Sequence, residues 1–389
     1  MKKLILILFL AMSFLNAKAT ISQGTFKKLQ KANKLIEKRQ FTSAINVLTP
    51  IVNGDLNAIS KTYAMQSLAN IYIEKNQYKK VLKYYEKIIS LKALKQEDLQ
   101  RIKFSLAQIY LSEGFYAKAI KTSKELFNSK VVKSSVLNEN IALAYYYGKK
   151  YRSSIPYIKK VIPIKKQKES WYRMLYSSYV EIKDYKSAIS TLRQLVKKYP
   201  KTEEYWMQLI SLYQTTKRYK KSLATLELAY KNNVVSKEKN IMYFVNILLQ
   251  NNLYNKAGLI LKDGIKKGIV QNNKKNFNIL ISCFLNAKNY KEALPKLERE
   301  KYANSDKYKL ILGNIYFNRS DYKNALRVLK NYKFTKNSKI DGQRYTLLAL
   351  SSYELNDNKQ TIKYLKKASQ NRYEKKRALN LAKDLGYKI

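Results

Sequence analysis

The sequence predicts an all-α solenoid of stacked helical hairpins, and three observations predict it. An aromatic residue followed three positions later by a small or aliphatic one recurs along the chain: Phe41/Ala44, Tyr78/Val81, Tyr116/Ala119, Tyr151/Ser154, Tyr185/Ala188, Tyr219/Ser222, Tyr254/Ala257, Tyr290/Ala293 and Tyr322/Ala325. Successive aromatics lie 32 to 38 residues apart. That period holds two helices and their turns, and a hairpin of this size buries its apolar face only against a stacked neighbour. Breakers are scarce: 10 Gly and 5 Pro in 389 residues leave little room for long loops or glycine-rich catalytic turns.

Taken in order, residues 1–19 read as an export signal. Lys2 and Lys3 form a basic start, Leu4 to Leu15 an apolar run, and Ala17-Lys18-Ala19 a small-residue cleavage site. The run falls short of the roughly 20 residues that span a bilayer, so the mature chain is expected to begin near Thr20; an uncleaved anchor is the alternative. Ten repeats follow over 20–371. A weak first one has Leu35, Phe41 and Ala44. Next come Met65, Leu68, Tyr72; Leu106, Ala107, Tyr110; Ile141, Ala142, Tyr145; and Tyr172, Leu175, Tyr179, Tyr185, Ala188, Leu192 with Pro200 closing the unit. The clearest copy is Trp206, Leu209, Tyr213, Tyr219, Leu226, Ala229, followed later by Phe277, Leu280, Phe284 and by Leu312, Gly313, Tyr316. A last unit (Tyr345, Leu348, Ala349, Leu365, Ala368) has Asn358 where the aromatic belongs, and 372–389 reads as a capping helix. Small residues at the Ala positions let helix backbones approach, while the Tyr and Phe positions are expected to fill the gaps and carry most of the buried area.

These residues resemble the tetratricopeptide repeat (TPR) pattern. The resemblance implies a right-handed superhelix of about ten helix–turn–helix units that binds other proteins. Within 171–385 the wording is narrower. Trp206 to Tyr213, LATLELAYKNNVVSKE (223–238), LYNKAGLILKDGIKKGIV (253–270), NYKEALPKLE (289–298) and LGNIYFNRSDYKNALRVLKN (312–331) resemble periplasmic TPR proteins that accompany the TonB–ExbB–ExbD system of Gram-negative bacteria. That likeness implies a periplasmic adaptor helping an inner-membrane motor deliver force to outer-membrane receptors, with TonB or ExbD as partners. The alternative is a general envelope scaffold for outer-membrane proteins, lipopolysaccharide or cell-wall machinery. Asn232-Asn233 replaces an expected helix-ending glycine, and Asn tolerates the left-handed cap. Ala378 and Leu379 lie near a position where Trp is typical.

Enzymatic chemistry finds no support. The chain has no histidine, the commonest general base and metal ligand, and no phosphate-binding glycine loop, paired cysteines or Gly-x-Ser-x-Gly elbow; no cofactor or metal is expected. Glu97/Asp98 and Glu203/Glu204 sit at expected helix starts, where they meet the dipole favourably. The single Cys283, beside Phe284, reads as a core or groove residue.

Charge bounds the partners. Lys+Arg outnumber Asp+Glu 77 to 27, a formal +50. Export argues against nucleic acid, and codon choice in an AT-rich genome would enrich Lys, Asn, Ile and Tyr together. What remains is attraction to anionic lipid, lipopolysaccharide or acidic segments, screened by salt. The residue after each marker aromatic opens the second helix, and stacking would align Lys79, Arg152, Lys186, Lys220, Lys291, Lys323 and Lys359 as a basic ridge. In TPR stacks the first helices line a groove, and their ninth positions here are Asn70, Gln108, Leu143, Ser177, Ser211, Asn246, Ser282, Asn314 and Leu350, without one Lys or Arg. Side-chain amides give and accept hydrogen bonds at once, which suits an extended peptide backbone. Arg173, Met207 and Met242, one turn earlier, add a carboxylate contact and adaptable apolar ones. Crowding in a narrow superhelix would select the same small polar residues.

Overall fold

The computed structural model describes residues 21–389 except Gln167; the expected export signal lies outside the described residues. Among the described residues all regular structure is helical. Residues up to Tyr219 form one compact unit and Lys220–Ile389 a second. The first unit runs α1 (Gln23–Glu37), α2 (Phe41–Asn53), α3 (Ala58–Glu74), α4 (Tyr78–Leu91), α5 (Gln96–Ser112), α6 (Tyr116–Glu125), α7 (Ser134–Tyr147), α8 (Tyr151–Ile164), α9 (Glu169–Glu181), α10 (Tyr185–Lys198) and α11 (Glu203–Thr215). The second runs α12 (Tyr219–Lys231), α13 (Glu238–Gln250), α14 (Tyr254–Lys266), α15 (Lys274–Asn286), α16 (Tyr290–Arg299), α17 (Asp306–Asn318), α18 (Tyr322–Asn331), α19 (Lys339–Tyr353), α20 (Asn358–Ser369) and α21 (Lys375–Asp384). Odd-numbered helices up to α19 are the first helices of the repeats and even-numbered ones the second; α21 packs on α20.

Each second helix up to α18 begins on its marker aromatic, and the small position three residues later is fully buried in these repeats, from Ala44, Val81 and Ala119 to Ala293 and Ala325. Second helices bury one stripe. In α10 it is Ala188, Ile189, Leu192 and Leu195, spaced at helical period. First helices bury more of their circumference, as in α11 with Tyr205, Trp206, Leu209, Ile210, Leu212 and Tyr213. They also touch one another across repeats, α1 with α3, α5 with α7 and α17 with α19. The Tyr and Phe positions do not share burial equally, and the marker aromatics carry the smaller part. They sit at the first residue of a helix, at the stack's edge, and are only half-buried, with Tyr219 54% exposed. The deep aromatics are Tyr205, Phe244, Phe277 and Phe284, all on first helices.

The turn between the two helices is the same in every repeat. The residue two before each second helix is left-handed: Arg39, Asn76, Gly114, Lys149, Lys183, Lys217, Asn252, Lys288, Ser320 and Asn356, with φ between 52° and 84°. The next N–H then donates to the carbonyl five residues back, as from Gln77 to Tyr72 (2.8 Å), Asp184 to Tyr179 (2.9 Å) and Asp321 to Tyr316 (2.9 Å). This bond seals the first helix and sets the aromatic to start the next. After α12, Asn233 takes the left-handed position as expected. In the last repeat, where Asn358 replaces the aromatic, Tyr387 folds back from the chain end. Its hydroxyl donates to Asn358 Oδ1 (2.5 Å) and its ring meets Tyr353 edge-on.

Cys283 lies wholly inside α15, and burial pushes its thiol up to about 11. At pH 8 the native chain is expected to leave a thiol reagent unreacted and to consume one equivalent only after unfolding, since the thiolate is the reactive form. Rapid labelling of the native chain would contradict this placement.

Candidate functional site

The exposed side of the first helices can be built residue by residue. In the second unit Asn246 of α13, Ser282 of α15 and Asn314 of α17 are all exposed, and Met242 is half-buried one turn before Asn246. Gln250, Asn286 and Asn318, one turn further on, are exposed too. Beside them Leu249, Leu285 and Phe317 are half-buried, so an apolar strip borders an amide-rich one. Leu350 of α19 is half-buried and ends the row in carbon.

In the first unit the row is more enclosed. Ser211 and Arg173 are exposed, whereas Asn70, Gln108, Leu143, Ser177 and Met207 are half-buried. Two expected ligand groups already have partners within the chain. The Ser177 hydroxyl shares a 2.8 Å hydrogen bond with the Tyr146 hydroxyl, and the Asn314 amide donates to the Leu310 carbonyl of its own helix at 2.9 Å. Gln108 presents a buried Oε1 with no hydrogen-bond partner. The Tyr146 contact could not be read from spacing, because it joins side chains 31 residues apart on successive first helices.

Every member of the expected basic ridge is exposed, and each is the second residue of its helix: Lys79 in α4, Arg152 in α8, Lys186 in α10, Lys220 in α12, Lys291 in α16, Lys323 in α18 and Lys359 in α20. Asp184, which caps α10 by accepting from the Ser187 N–H (3.1 Å), is held below the usual carboxylate range by hydrogen bonds from Ser187 and by the charges of Lys159 and Lys186. Carboxylates on second helices reach bases of the adjacent repeat, Glu86 to Lys118 (3.6 Å), Glu227 to Lys256 (2.6 Å), Glu292 to Lys262 (2.5 Å) and Glu298 to Arg327 (3.8 Å). Exposed pairs of this kind contribute only tenths of a kcal/mol to about 1.

Two stretches of the chain match family models described as tetratricopeptide repeat, residues 64–99 and 177–202. The chain carries tetratricopeptide repeats. Each matched stretch overlaps a first helix, its left-handed turn and its second helix as described above. Solved structures to which the chain is similar include a tetratricopeptide repeat protein from Parabacteroides merdae, 14% identical, covering 68% of this chain and 100% of that one with a TM-score of 0.37. Naa15/Naa10 bound to HypK-THB is 12% identical, with 90% and 58% covered and a TM-score of 0.46. A structure titled MamA MSR-1 C2 is 11% identical, with 44% and 95% covered and a TM-score of 0.34. A comparison with curated proteins finds no match to this sequence.

Proposed function

We propose that this TPR chain is a protein-interaction adaptor whose first-helix face holds an extended segment of a partner protein, and that it works in the periplasm beside the TonB–ExbB–ExbD system. One observation carries the binding mode. Asn246, Gln250, Ser282, Asn286, Asn314 and Asn318, with Leu249, Leu285 and Phe317 between them, line the second halves of α13, α15 and α17, which hold no Lys or Arg in a chain where those residues number 77 of 389, while Lys239, Lys275 and Lys307 border the strip two turns earlier. Amides and hydroxyls pair with a peptide backbone whatever its sequence, and the apolar strip takes side chains of an extended strand. The export signal expected at 1–19 and the wording of 206–331 support the periplasmic setting and the energy-transducing partner. The charge of +50 favours a second reading, a scaffold for envelope assembly near lipopolysaccharide.

Changing Asn246 and Asn314 to Ala is expected to weaken partner capture several-fold and leave the melting temperature nearly unchanged, because both residues are exposed. A photo-crosslinker placed at Asn246 in cells identifies what is held. Adducts with TonB or ExbD support the first reading, and adducts confined to outer-membrane assembly proteins support the second. Capture that survives both alanines removes the first-helix face from consideration.

A further inference from the structure

After the first hairpin, whose α1 carries four cations and α2 none, cations favour the second helices. The first helices α7 and α11 carry no Lys or Arg, while the second helices α4 and α10 carry four each. In the first unit cations recur at the turns joining first to second helices in three successive repeats. Lys149, Arg152, Lys183, Lys186, Lys217 and Arg218 are all exposed there, and stacking sets equivalent turns in a row.

Two local penalties oppose these residues. Lys149, Lys183 and Lys217 hold the left-handed conformation at φ 57°, 60° and 57°, which disfavours any residue with a Cβ other than Asn or Asp. The sequence is rich in Asn, and Asn fills the same turn position at Asn76, Asn252 and Asn356. Arg152 and Lys186, one residue inside their helices, oppose the helix dipole. Lysine also takes this conformation at Lys92 and Lys166, on the opposite turns, so the edge is marked by its run of three successive lysines rather than by the conformation alone.

Large apolar side chains share this edge. Phe115 is 45% exposed, Tyr147 44% and Tyr219 54%. The Lys118 ammonium lies 5.8 Å over the Phe115 ring, and Tyr147 packs edge-to-face on Tyr146. Phe115 therefore offers no free ring face on that side to a stacked base, and lysine outnumbers the forked guanidinium that nucleic-acid recognition favours. Lysines flanking aromatic rings match the headgroup layer of a membrane, where such rings settle and cations meet lipid phosphate.

We propose that the turn edge of the first unit, from Phe115 through Lys149, Lys183 and Lys217 to Tyr219, docks on an anionic phospholipid bilayer. This surface is separate from the first-helix face and stands whether or not that face holds a peptide.

The test uses residues 21–389, both compact units together, without the apolar segment 4–15, which would itself partition into lipid. The probe is sedimentation with phosphatidylglycerol-rich vesicles at low salt, against phosphatidylcholine vesicles. The Lys149→Asn, Lys183→Asn, Lys217→Asn triple variant is expected to bind phosphatidylglycerol vesicles about ten-fold or more weakly, with a melting temperature equal to or above the parent's, because Asn suits the left-handed turn. Removing equal charge away from the turns, with Lys87→Gln, Lys130→Gln and Lys197→Gln, is expected to change binding by no more than about two-fold. The proposal falls if the parent ignores anionic vesicles, if phosphatidylcholine serves equally, or if the control variant weakens binding as much as the turn variant. It also falls if the turn lysines are needed only for polyglutamate or a single-stranded oligonucleotide, which would make the ligand a soluble polyanion.

Discussion

Replacing Phe284 by alanine is expected to cost about 3–5 kcal/mol, the range for a fully buried phenylalanine. Phe284 is 0% exposed at the end of α15, and α14 is shaped around its ring. A methyl group built at Gly258 would lie 2.6 Å from Phe284 Cε1, so glycine lets the two helices meet. Truncating the ring leaves a cavity that the rigid helix pair fills poorly. Gly258→Ala alone is therefore expected to destabilise despite alanine's advantage of about 1 kcal/mol in a helix. In the Phe284→Ala background the same change is expected to stabilise, because the clash is gone and part of the cavity is filled. Denaturant titration of the two single variants and the double measures the coupling. Additive costs would show that Gly258 and Phe284 do not share this contact.

Stability is expected to fall as pH rises from 10 to 12. Burial raises the hydroxyl of Tyr85, on α4, to about 12, and burial with a hydrogen bond to Glu298 raises that of Tyr316 to about 12. Tyr110, Tyr205 and Tyr230 are raised as well, first by burial and then by Glu86, Glu169 and Asp263. An unfolded tyrosine titrates near 10. Below that pH both states hold the proton and the contribution is complete. Between 10 and 12 the unfolded chain releases protons that the folded chain retains, so the equilibrium moves toward unfolding. For Tyr85, two pH units correspond to about 2.7 kcal/mol. Comparison with Tyr85→Phe isolates the tyrosine, since the variant is expected to lose less stability between pH 8 and 12. Parallel curves would place Tyr85 in contact with water.

The hairpins were legible because their signals are local. An aromatic at a helix start and a small residue one turn later mark where backbones approach, and second helices open on those aromatics from Phe41 to Tyr322. The left-handed turns were hidden, since the expected signal is glycine and only Gly114 supplies it; lysine, asparagine, arginine and serine hold the rest. Tyr387 standing in for the missing aromatic beside Asn358 was equally hidden, because 29 residues separate them and the contact depends on how α21 lies. Spacing found the first-helix row that includes Asn246 and Ser282. It could not show that Ser177 and Asn314 already spend hydrogen bonds inside the chain, which only packing decides.

The recurring turn has a consequence for how such a chain changes over time. A main-chain bond, such as Asp184 N–H to the Tyr179 carbonyl, closes each turn, and the left-handed residue's own side chain takes no part in it. Arg39, Ser320 and Lys288 occupy it with the same backbone geometry. Within each unit the turns thus offer a set of exchangeable sockets, each able to acquire or shed a charge at a small conformational cost without rewriting the core. Surface affinity can drift, sharpen or be redesigned one turn at a time while the architecture beneath stays constant.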